Sequence, residues 1–187
     1  MDANNFTFQK EVSVSLSQFR QMFLDASCFY ERYLESLNEQ SISVGQWSST
    51  NGNFTRNITF EHKMSSFPGV PYIQTLTEQK YSHIPEKEIV VREKSTFTGV
   101  SFLDEMLVER TWSVEPNSTG IMVTISAAVS FSEDGKLPKF VRRQIEKKSF
   151  KDMENSMNIW ASMVDNDLLE NKTNSVDEEC KEGDSNV

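Results

Sequence analysis

The sequence predicts an α+β fold in which a curved antiparallel sheet of about seven strands surrounds one long C-terminal helix. Three observations predict it: period-two apolar runs fill the middle of the chain, one long stripe at helical spacing closes it, and two short helical segments follow the first strand. A sheet that holds a single helix in this way is a helix-grip arrangement, and its strong curvature leaves room for an apolar cavity.

The first elements are a strand and two short helices. Weak alternation over residues 7–14 predicts the strand. Ser15 or Ser17 is placed to cap the first helix, and Ser27 is placed to cap the second. Along the second helix, large apolar side chains recur at helical spacing: Phe29, Tyr30, Tyr33, Leu34 and Leu37.

Six further runs alternate with period two and predict the rest of an antiparallel meander. They lie near residues 42–47, 54–62, 73–81, 89–97, 106–114 and 121–131. Turn-forming segments such as Asn51-Gly52 and the loop from Pro68 to Pro71 separate them.

A long helix is predicted from about Pro138 to Asp165, with proline suited to its first turn. Its apolar stripe is Val141, Ile145, Met153, Met157, Trp160 and Val164. The opposite side is charged, as in a surface helix that covers a sheet. The flexible methionines Met153 and Met157 fit two interpretations, an adaptable ligand wall or ordinary core filling.

Charge is unevenly distributed along the 187 residues, whose formal net charge is −9. Residues 165–187 hold eight acids and two bases and almost no large apolar side chains after Leu169. We therefore expect a flexible N-terminus (1–6), one folded domain (7–165) and an acidic disordered tail (166–187). The acidic balance argues against nucleic-acid binding.

The two cysteines, Cys28 and Cys180, are too far apart in sequence to suggest a metal or disulfide pattern. No secretory leader and no membrane-spanning run is seen in the sequence. These features predict a cytoplasmic protein without a metal site. We also expect a monomer that is peripheral at membranes and has no cofactor.

Catalysis finds little support in the residue types. His62 and His83 are the only histidines, and neither stands in a pattern with a nucleophile. Glu93 and Arg110 fall in phase with apolar neighbours of their strands. If those sides face inward, the two charges must pair with each other or meet a polar group of a ligand, because an unpaired buried charge is costly.

A basic cluster lies at the start of the long helix. Residues 136–151 contain seven bases and one acid, and Lys136, Lys139, Arg142 and Arg143 lead it. An anionic membrane surface attracts such a cluster by about 1 kcal/mol per basic residue. The alternative is a solvated helix face that the acidic tail neutralises.

Three stretches resemble the VASt domain, the StAR-related lipid-transfer-like module of the Lam and Aster sterol transporters and their plant relatives. They are FEHKMSSFPGVPYIQTLTEQKY (60–81), KEIVVREKSTFTGVSFLDEMLVERTWSVEP (87–116) and SFSEDGKLPKFVRRQIEKKSFKDMENSMNIW (130–160). The resemblance covers roughly residues 7–165. Lys148 departs from it, since the family usually has glycine after the I-E-K segment.

The resemblance implies a non-enzymatic domain that binds a sterol or another apolar lipid in a cavity and transfers it between membranes. It implies that the loop from Met64 to Pro71 covers the cavity mouth. The predicted cavity wall and lid are Phe60, Phe67, Val70, Glu93, Arg110, Val123, Ile125, Met153, Met157 and Trp160. The alternatives are a protein-interaction module that fills the same scaffold with side chains and, third, a hydrolase- or cyclase-like enzyme.

Overall fold

A computed structural model describes residues 6–50, 53–63, 72–100, 103–133, 135 and 137–179. The strands are β1 (Phe6–Val12), β2 (Gln40–Val44), β3 (Ser48–Thr50), β4 (Asn53–Lys63), β5 (Tyr72–Ile84), β6 (Glu88–Thr98), β7 (Met106–Asn117) and β8 (Gly120–Phe131). The helices are α1 (Leu16–Phe19), which continues as a π-helical segment (Arg20–Asp25), α2 (Ser27–Ser36) and α3 (Lys139–Glu179).

The strands form one antiparallel sheet in the order β1-β8-β7-β6-β5-β4-β2, with β3 paired to β4. The predicted α+β helix-grip class is confirmed, with eight strands in place of about seven. Alternation produces the sheet's buried face: in β8, Ile121, Val123 and Ile125 are buried, and the residues between them are not.

The additional strand arises because the run at residues 42–47 breaks at Gly45. The Gly45 amide donates to the Asn57 carbonyl at 2.9 Å, and a Cβ at this position would lie 2.7 Å from the same oxygen. The chain therefore approaches β4 too closely for any other residue. After the break, Trp47 turns to pack edge-on against Tyr81, with ring centroids 4.7 Å apart.

Capping distinguishes the two short helices. Ser15 caps α1 in a capping box, in which the Gln18 amide donates to Ser15 Oγ and the Ser15 amide donates to Gln18 Oε1. The prediction that Ser27 caps α2 is wrong, because Ser27 is already helical and the extended residue before it is Ala26. Ala26 makes no side-chain cap bond.

Helix α3 is longer than predicted. Pro138 stands immediately before it and accepts from the amides of Val141 and Arg142. The helix continues past Asp165 to Glu179, so residues 166–179, which the sequence predicts as part of an acidic disordered tail, are helical. Two contacts tie the helix beyond Asp165 to the rest of the fold: Asp167 pairs with Arg32 of α2 at 2.6 Å, and Leu168 packs against the core. Residues 1–5 and 180–187 lie outside the described residues, and β1 already begins at Phe6.

Candidate functional site

The inner face of the sheet is built from rows of directly opposed residues, because inward side chains repeat every second position on paired strands. One row contains only large apolar and aromatic side chains: Phe54, Tyr81, Val91, Trp112 and Ile125. Trp112 meets Trp160 of α3 edge-on, with ring centroids 5.2 Å apart. Side chains of sheet and helix therefore fill this part of the interior, which we call the packed half.

The next row is polar, and we call it the polar belt: Arg56, Gln79, Glu93 and Arg110. Arg56 Nε donates to Gln79 Oε1 at 2.6 Å, and the Gln79 amide nitrogen donates to Glu93 Oε1. Glu93 Oε2 lies 2.7 Å from Arg110 Nε. The ion pair between Glu93 and Arg110, one of the two predicted alternatives, is thus present.

Burial and charge set the protonation of the belt. Burial raises the pKa of the Tyr30 phenol, and the nearby Glu93 carboxylate raises it further. The phenol therefore keeps its proton and donates a hydrogen bond to Glu93 Oε1 at 3.3 Å. Burial alone would lower the pKa of Arg110, but the Glu93 carboxylate and the nearby phenols of Tyr30 and Tyr33 together outweigh this effect and raise it. Burial lowers the pKa of Arg56, whose guanidinium lies 4.2 Å from the ring centroid of Trp47.

On the other side of the belt, sheet and helix do not meet, and a cavity of about 680 Å³ remains. Strands β4–β7, helix α2 and the first half of α3 form its walls. The apolar lining includes Leu34, Leu37, Phe60, Ile73, Phe97, Met106, Val108, Val141, Ile145, Met153 and Ile159. The volume is within the range of about 300–1,000 Å³ that small-molecule sites occupy.

Short side chains explain why this half is hollow. Thr75 and Ser95 project from the sheet, where the packed half has aromatic rings, and Ser149 and Ser156 face them from α3. Ser95 also bonds to Thr77 across the strands, with the two hydroxyl oxygens 2.8 Å apart. These short side chains do not reach across the space between sheet and helix. In the packed half, by contrast, Trp112 and Trp160 fill that space.

A few polar atoms face this apolar space at its floor, next to the belt. Tyr33 and Thr75 line the cavity, and among the described residues neither hydroxyl has a hydrogen bond of good geometry, although Arg110 and Ser156 lie close to Tyr33. Burial raises the pKa of Tyr33, so its phenol stays neutral and able to donate. A buried polar group without a partner costs about 1–3 kcal/mol. The floor is therefore suited to a ligand with one small polar group.

The rim of the cavity carries two charged pairs. His62 Nδ1 lies 2.9 Å from Glu39 Oε1, and Lys148 Nζ lies 3.0 Å from Asp152 Oδ2. The hydrogen bond to Glu39 raises the pKa of His62 more than burial lowers it. With 44% of its side chain exposed, His62 is at the boundary between cavity and solvent.

The predicted wall residues separate into two groups. Phe60, Arg110 and Met153 line the cavity, and Glu93 lies behind Arg110 in the belt. The placement of four others on the wall is wrong, because they are buried in the packed half: Val123, Ile125, Met157 and Trp160. Periodicity identified the inward face correctly but carried no information on which half of that face is hollow.

The predicted lid, with Phe67 and Val70, lies outside the described residues, and so does Lys136. The other predicted membrane contacts differ among themselves. Lys139 and Arg143 are exposed, but Arg142 is half-buried and donates to the carbonyl oxygens of Leu137 at 3.0 Å and Gly135 at 2.7 Å. Arg142 therefore holds the segment before α3 in place, and its assignment to membrane contact stays a prediction.

Sequence reasoning missed the tyrosines of α2 as site residues and did not connect Arg56 and Gln79 with the pair in β6 and β7. One signal was visible: four successive strands each carry a polar residue at an inward position. Recognising these four residues as one site requires the strand register, because only the strand pairing places their side chains in one row.

The described residues include no group of three or more His, Cys, Asp or Glu side chains that could hold a metal ion. None of the helices in the same residues is both long enough and apolar enough to cross a bilayer. Among the described residues, the polar lining of the cavity consists of hydroxyls, Arg110 at the floor, the two charged pairs at the rim, and the amides of Gln144 and Asn155 on α3.

Comparison with known proteins gives one family and several similar folds. The family model of the VAD1 Analog of StAR-related lipid transfer domain (VASt) matches residues 6–152. No curated protein matches the sequence. A STAR-related lipid transfer protein from Xanthomonas axonopodis is similar in structure with a TM-score of 0.54, at 12% identity over 86% of this chain and 85% of that one.

Two further solved structures are similar. Ara h 8.0201 has a TM-score of 0.50 at 15% identity, over 86% of this chain and 97% of that one. The di-domain ARO/CYC StfQ from the steffimycin biosynthetic pathway has a TM-score of 0.52 at 8% identity, over 88% of this chain and 52% of that one. At these identities the likeness establishes the START-like fold.

Proposed function

Because the chain belongs to the VASt family, we propose that it binds one molecule of an apolar lipid, with a sterol as the leading candidate, and carries it between membranes. Family membership supports lipid binding in general. The sterol, the transfer step, the monomeric state and a cytoplasmic location at membrane surfaces are parts of the proposal.

The cavity of about 680 Å³ between sheet and helix is the observation that carries the proposal. Its walls are mainly apolar, so a lipid that enters leaves water and gains about 25 cal/mol for each Å² of apolar surface buried. Carriers need this arrangement, because the ligand must be shielded completely while it crosses the aqueous phase. A protein-interaction module on this scaffold would have no use for a hollow interior.

The floor of the cavity favours a lipid with one polar end. Tyr33 and Thr75 offer hydroxyls that lack good partners among the described residues, and Arg110 lies beside them with its charge balanced by Glu93. A sterol hydroxyl would satisfy one or two of these atoms with no charge to desolvate. The rest of a sterol would then lie against the apolar wall near Ile73, Phe97 and Met106.

A catalytic role has less support than binding. The StfQ cyclase shares the fold, so the fold alone does not decide between enzyme and carrier. Among the described residues, His62 hydrogen-bonds to Glu39 at the rim and to no serine or cysteine, which supports binding over catalysis. We therefore assign the cavity to non-covalent lipid binding.

Native mass spectrometry of the purified chain, together with titration of a fluorescent sterol, tests the proposal. We expect one bound lipid per chain and saturable sterol binding. Ser149→Phe fills the cavity from α3 and should abolish both signals. Ser162→Phe makes the same change on the exposed side of the same helix and should leave both intact.

Three results would refute the proposal. One is a chain free of lipid that also fails to bind any apolar probe. Another is sterol binding that Ser149→Phe leaves unchanged while the variant keeps the thermal stability of the parent. Equal loss in both variants would show that the added ring, and not filling of the cavity, is responsible.

A further inference from the structure

The outward side of the first turns of α3 forms a surface that we call the basic stripe: Lys139, Phe140, Arg143, Lys147 and Lys151. All five side chains are exposed, and Phe140, at 69%, is the most exposed of the large apolar residues described. Lys139 and Phe140 lie four and three positions before Arg143, and Lys147 and Lys151 follow it at intervals of four, so the five share one side of the helix. Over residues 139–151 the only acid is Glu146, which lies three positions after Arg143 and so borders the stripe; Glu154 is the next acid on this side.

Local helix physics does not explain the stripe. The N-terminal end of a helix carries a partial positive charge, so cations there are unfavourable by about 0.3–1 kcal/mol each. The first turn of α3 has no acidic residue to offset this. None of the four cations forms an ion pair with another described residue, whereas the neighbouring Lys148 pairs with Asp152. The charges therefore do not serve the stability of the helix.

The basic stripe and the cavity share the same turns of α3. Val141, Gln144 and Lys148 line the cavity on one side of the helix, while Arg143 and Lys147 point away from it on another. A surface that binds the stripe therefore lies within one helix diameter, about 10 Å, of the cavity wall. A lipid that leaves such a surface has a short path to the cavity.

The other end of α3 has the opposite charge. Residues 165–179 carry six acids and one base, and the 41-residue helix extends for about 60 Å. Because the helix is continuous, these acids cannot fold back onto the basic stripe, so the predicted neutralisation by the C-terminal segment does not occur through residue 179. An anionic surface attracts one end of α3 and repels the other, and this orients the domain.

We infer that the basic stripe is a docking surface for membranes that contain anionic lipids, with Phe140 inserted among the headgroups. The inference rests on the proposed lipid-carrier function, since it names the surface at which the cavity loads and unloads. Phe140 favours a membrane over an acidic protein, because an exposed aromatic ring flanked by cations is suited to the boundary between headgroups and acyl chains. Arg142 is not part of the surface, being tied to Leu137 and Gly135.

Vesicle flotation with the full chain tests the inference. Wild type is mixed with vesicles of phosphatidylcholine alone and of phosphatidylcholine with phosphatidylserine, at low and high salt. We expect binding only to the anionic vesicles, weakened by salt. The double variant R143E/K147E should bind at least about thirtyfold more weakly, as expected for the loss of two basic contacts. Phe140→Ser should weaken binding by about tenfold or more.

Matched control variants distinguish the loss of charges in the basic stripe from a change in the net charge of the protein. The variant K80E/R92E makes the same change in net charge at two exposed, directly opposed residues on the outer face of the sheet, and it should bind anionic vesicles as wild type does. Ile84→Ser removes an apolar side chain, 47% exposed, at the end of β5 that is remote from the cavity, and it should also have no effect.

The outcomes also separate this inference from the proposed function. R143E/K147E should retain sterol binding in solution, measured without vesicles, because the stripe does not line the cavity. Sterol binding with no preference of wild type for anionic vesicles would overturn the docking surface and leave the carrier function standing. Equal losses in R143E/K147E and K80E/R92E, or binding of wild type to an acidic polypeptide but not to vesicles, would overturn it as well.

Discussion

The packed half and the hollow half of the interior share one sheet, one helix and one strand register, yet only one of them is filled. Trp112 and Trp160 close the packed half, whereas Ser95 and Ser149 face each other across the cavity. The backbone is continuous through both. The comparison teaches that the size of the side chains that face each other from sheet and helix contributes to whether the space between them becomes core or binding site.

The polar belt marks the boundary between the two halves. It carries two arginines and one carboxylate in a row across four strands. Buried charges contribute little net stability compared with apolar residues of the same shape, so the belt is not explained by stability. It supplies the floor of the cavity with the polar atoms that the apolar walls lack.

Removing the carboxylate of the belt should have the largest effect. We expect Glu93→Gln to destabilise the fold by about 3–5 kcal/mol, because the positive charge of Arg110 then stays buried without its partner. Urea denaturation measures this. Glu78→Gln, at an exposed position of the adjacent strand, is the control and should change the free energy of unfolding by no more than about 0.5 kcal/mol. Similar losses in both variants would show that the belt is not a coupled unit.

Replacing a methionine with alanine on each side of the polar belt compares the packed half with the hollow half directly. Met153 and Met157 are one turn apart on α3, the first on the cavity wall and the second wholly buried in the packed half. We expect Met157→Ala to cost about 2–5 kcal/mol and Met153→Ala about 1 kcal/mol, since Met153 already faces a void. Equal costs in denaturation experiments would mean that the cavity is not open in solution.

Most of the fold could be predicted from the sequence, because alternation and helical spacing are strong signals over long elements. The packed and hollow halves could not be distinguished in this way. Met153 and Met157 belong to the same stripe and look alike in sequence. Only the register, which places Trp112 opposite Ile125 but Ser95 opposite Val108, shows where large side chains meet. Cavity volume depends on sums of side-chain sizes over residues remote in sequence.

Two other features of the structure could not be predicted from local sequence. The charge of residues 165–179 suggested disorder, but a pair such as Arg32–Asp167 joins residues 135 positions apart and leaves no trace in local composition. Arg142 and Arg143 are adjacent cations, yet a helix rotates successive side chains by about 100°. One therefore points to the loop carbonyls and the other to solvent.

A smaller effect is expected at the cavity floor. Tyr33→Phe removes a buried hydroxyl that has no good partner among the described residues, so we expect unchanged or slightly higher stability and sterol binding about five- to tenfold weaker. Tyr81→Phe is the contrast from the packed half, because its hydroxyl donates to Asp25 at 3.3 Å and does not face the cavity. That variant should lose a little stability and no affinity. Unchanged affinity in Tyr33→Phe would remove the floor from ligand recognition.

The smallest expected effect is a pH dependence confined to the rim of the hollow half. Glu39 raises the pKa of His62 by hydrogen bonding, against the opposing effect of burial; Asp152 raises it and Lys148 lowers it. A folded-state pKa above the unfolded value of about 6.5 means that protonated His62 stabilises the fold. This contribution is fully present below about pH 6.5 and is lost as the pH rises through the folded-state pKa. Because 44% of the His62 side chain is exposed, we expect less than about 1 kcal/mol.

His62→Gln and Glu39→Gln isolate this contribution. Denaturation across the neutral range should show wild type losing stability relative to His62→Gln as the pH rises, because only wild type releases the bound proton. Glu39→Gln should bring the histidine pKa, followed by NMR, down toward its ordinary value. Parallel pH curves for wild type and His62→Gln would contradict the assignment. The rim would then be a neutral edge of the cavity, and the difference between the halves would consist of packing and the polar belt alone.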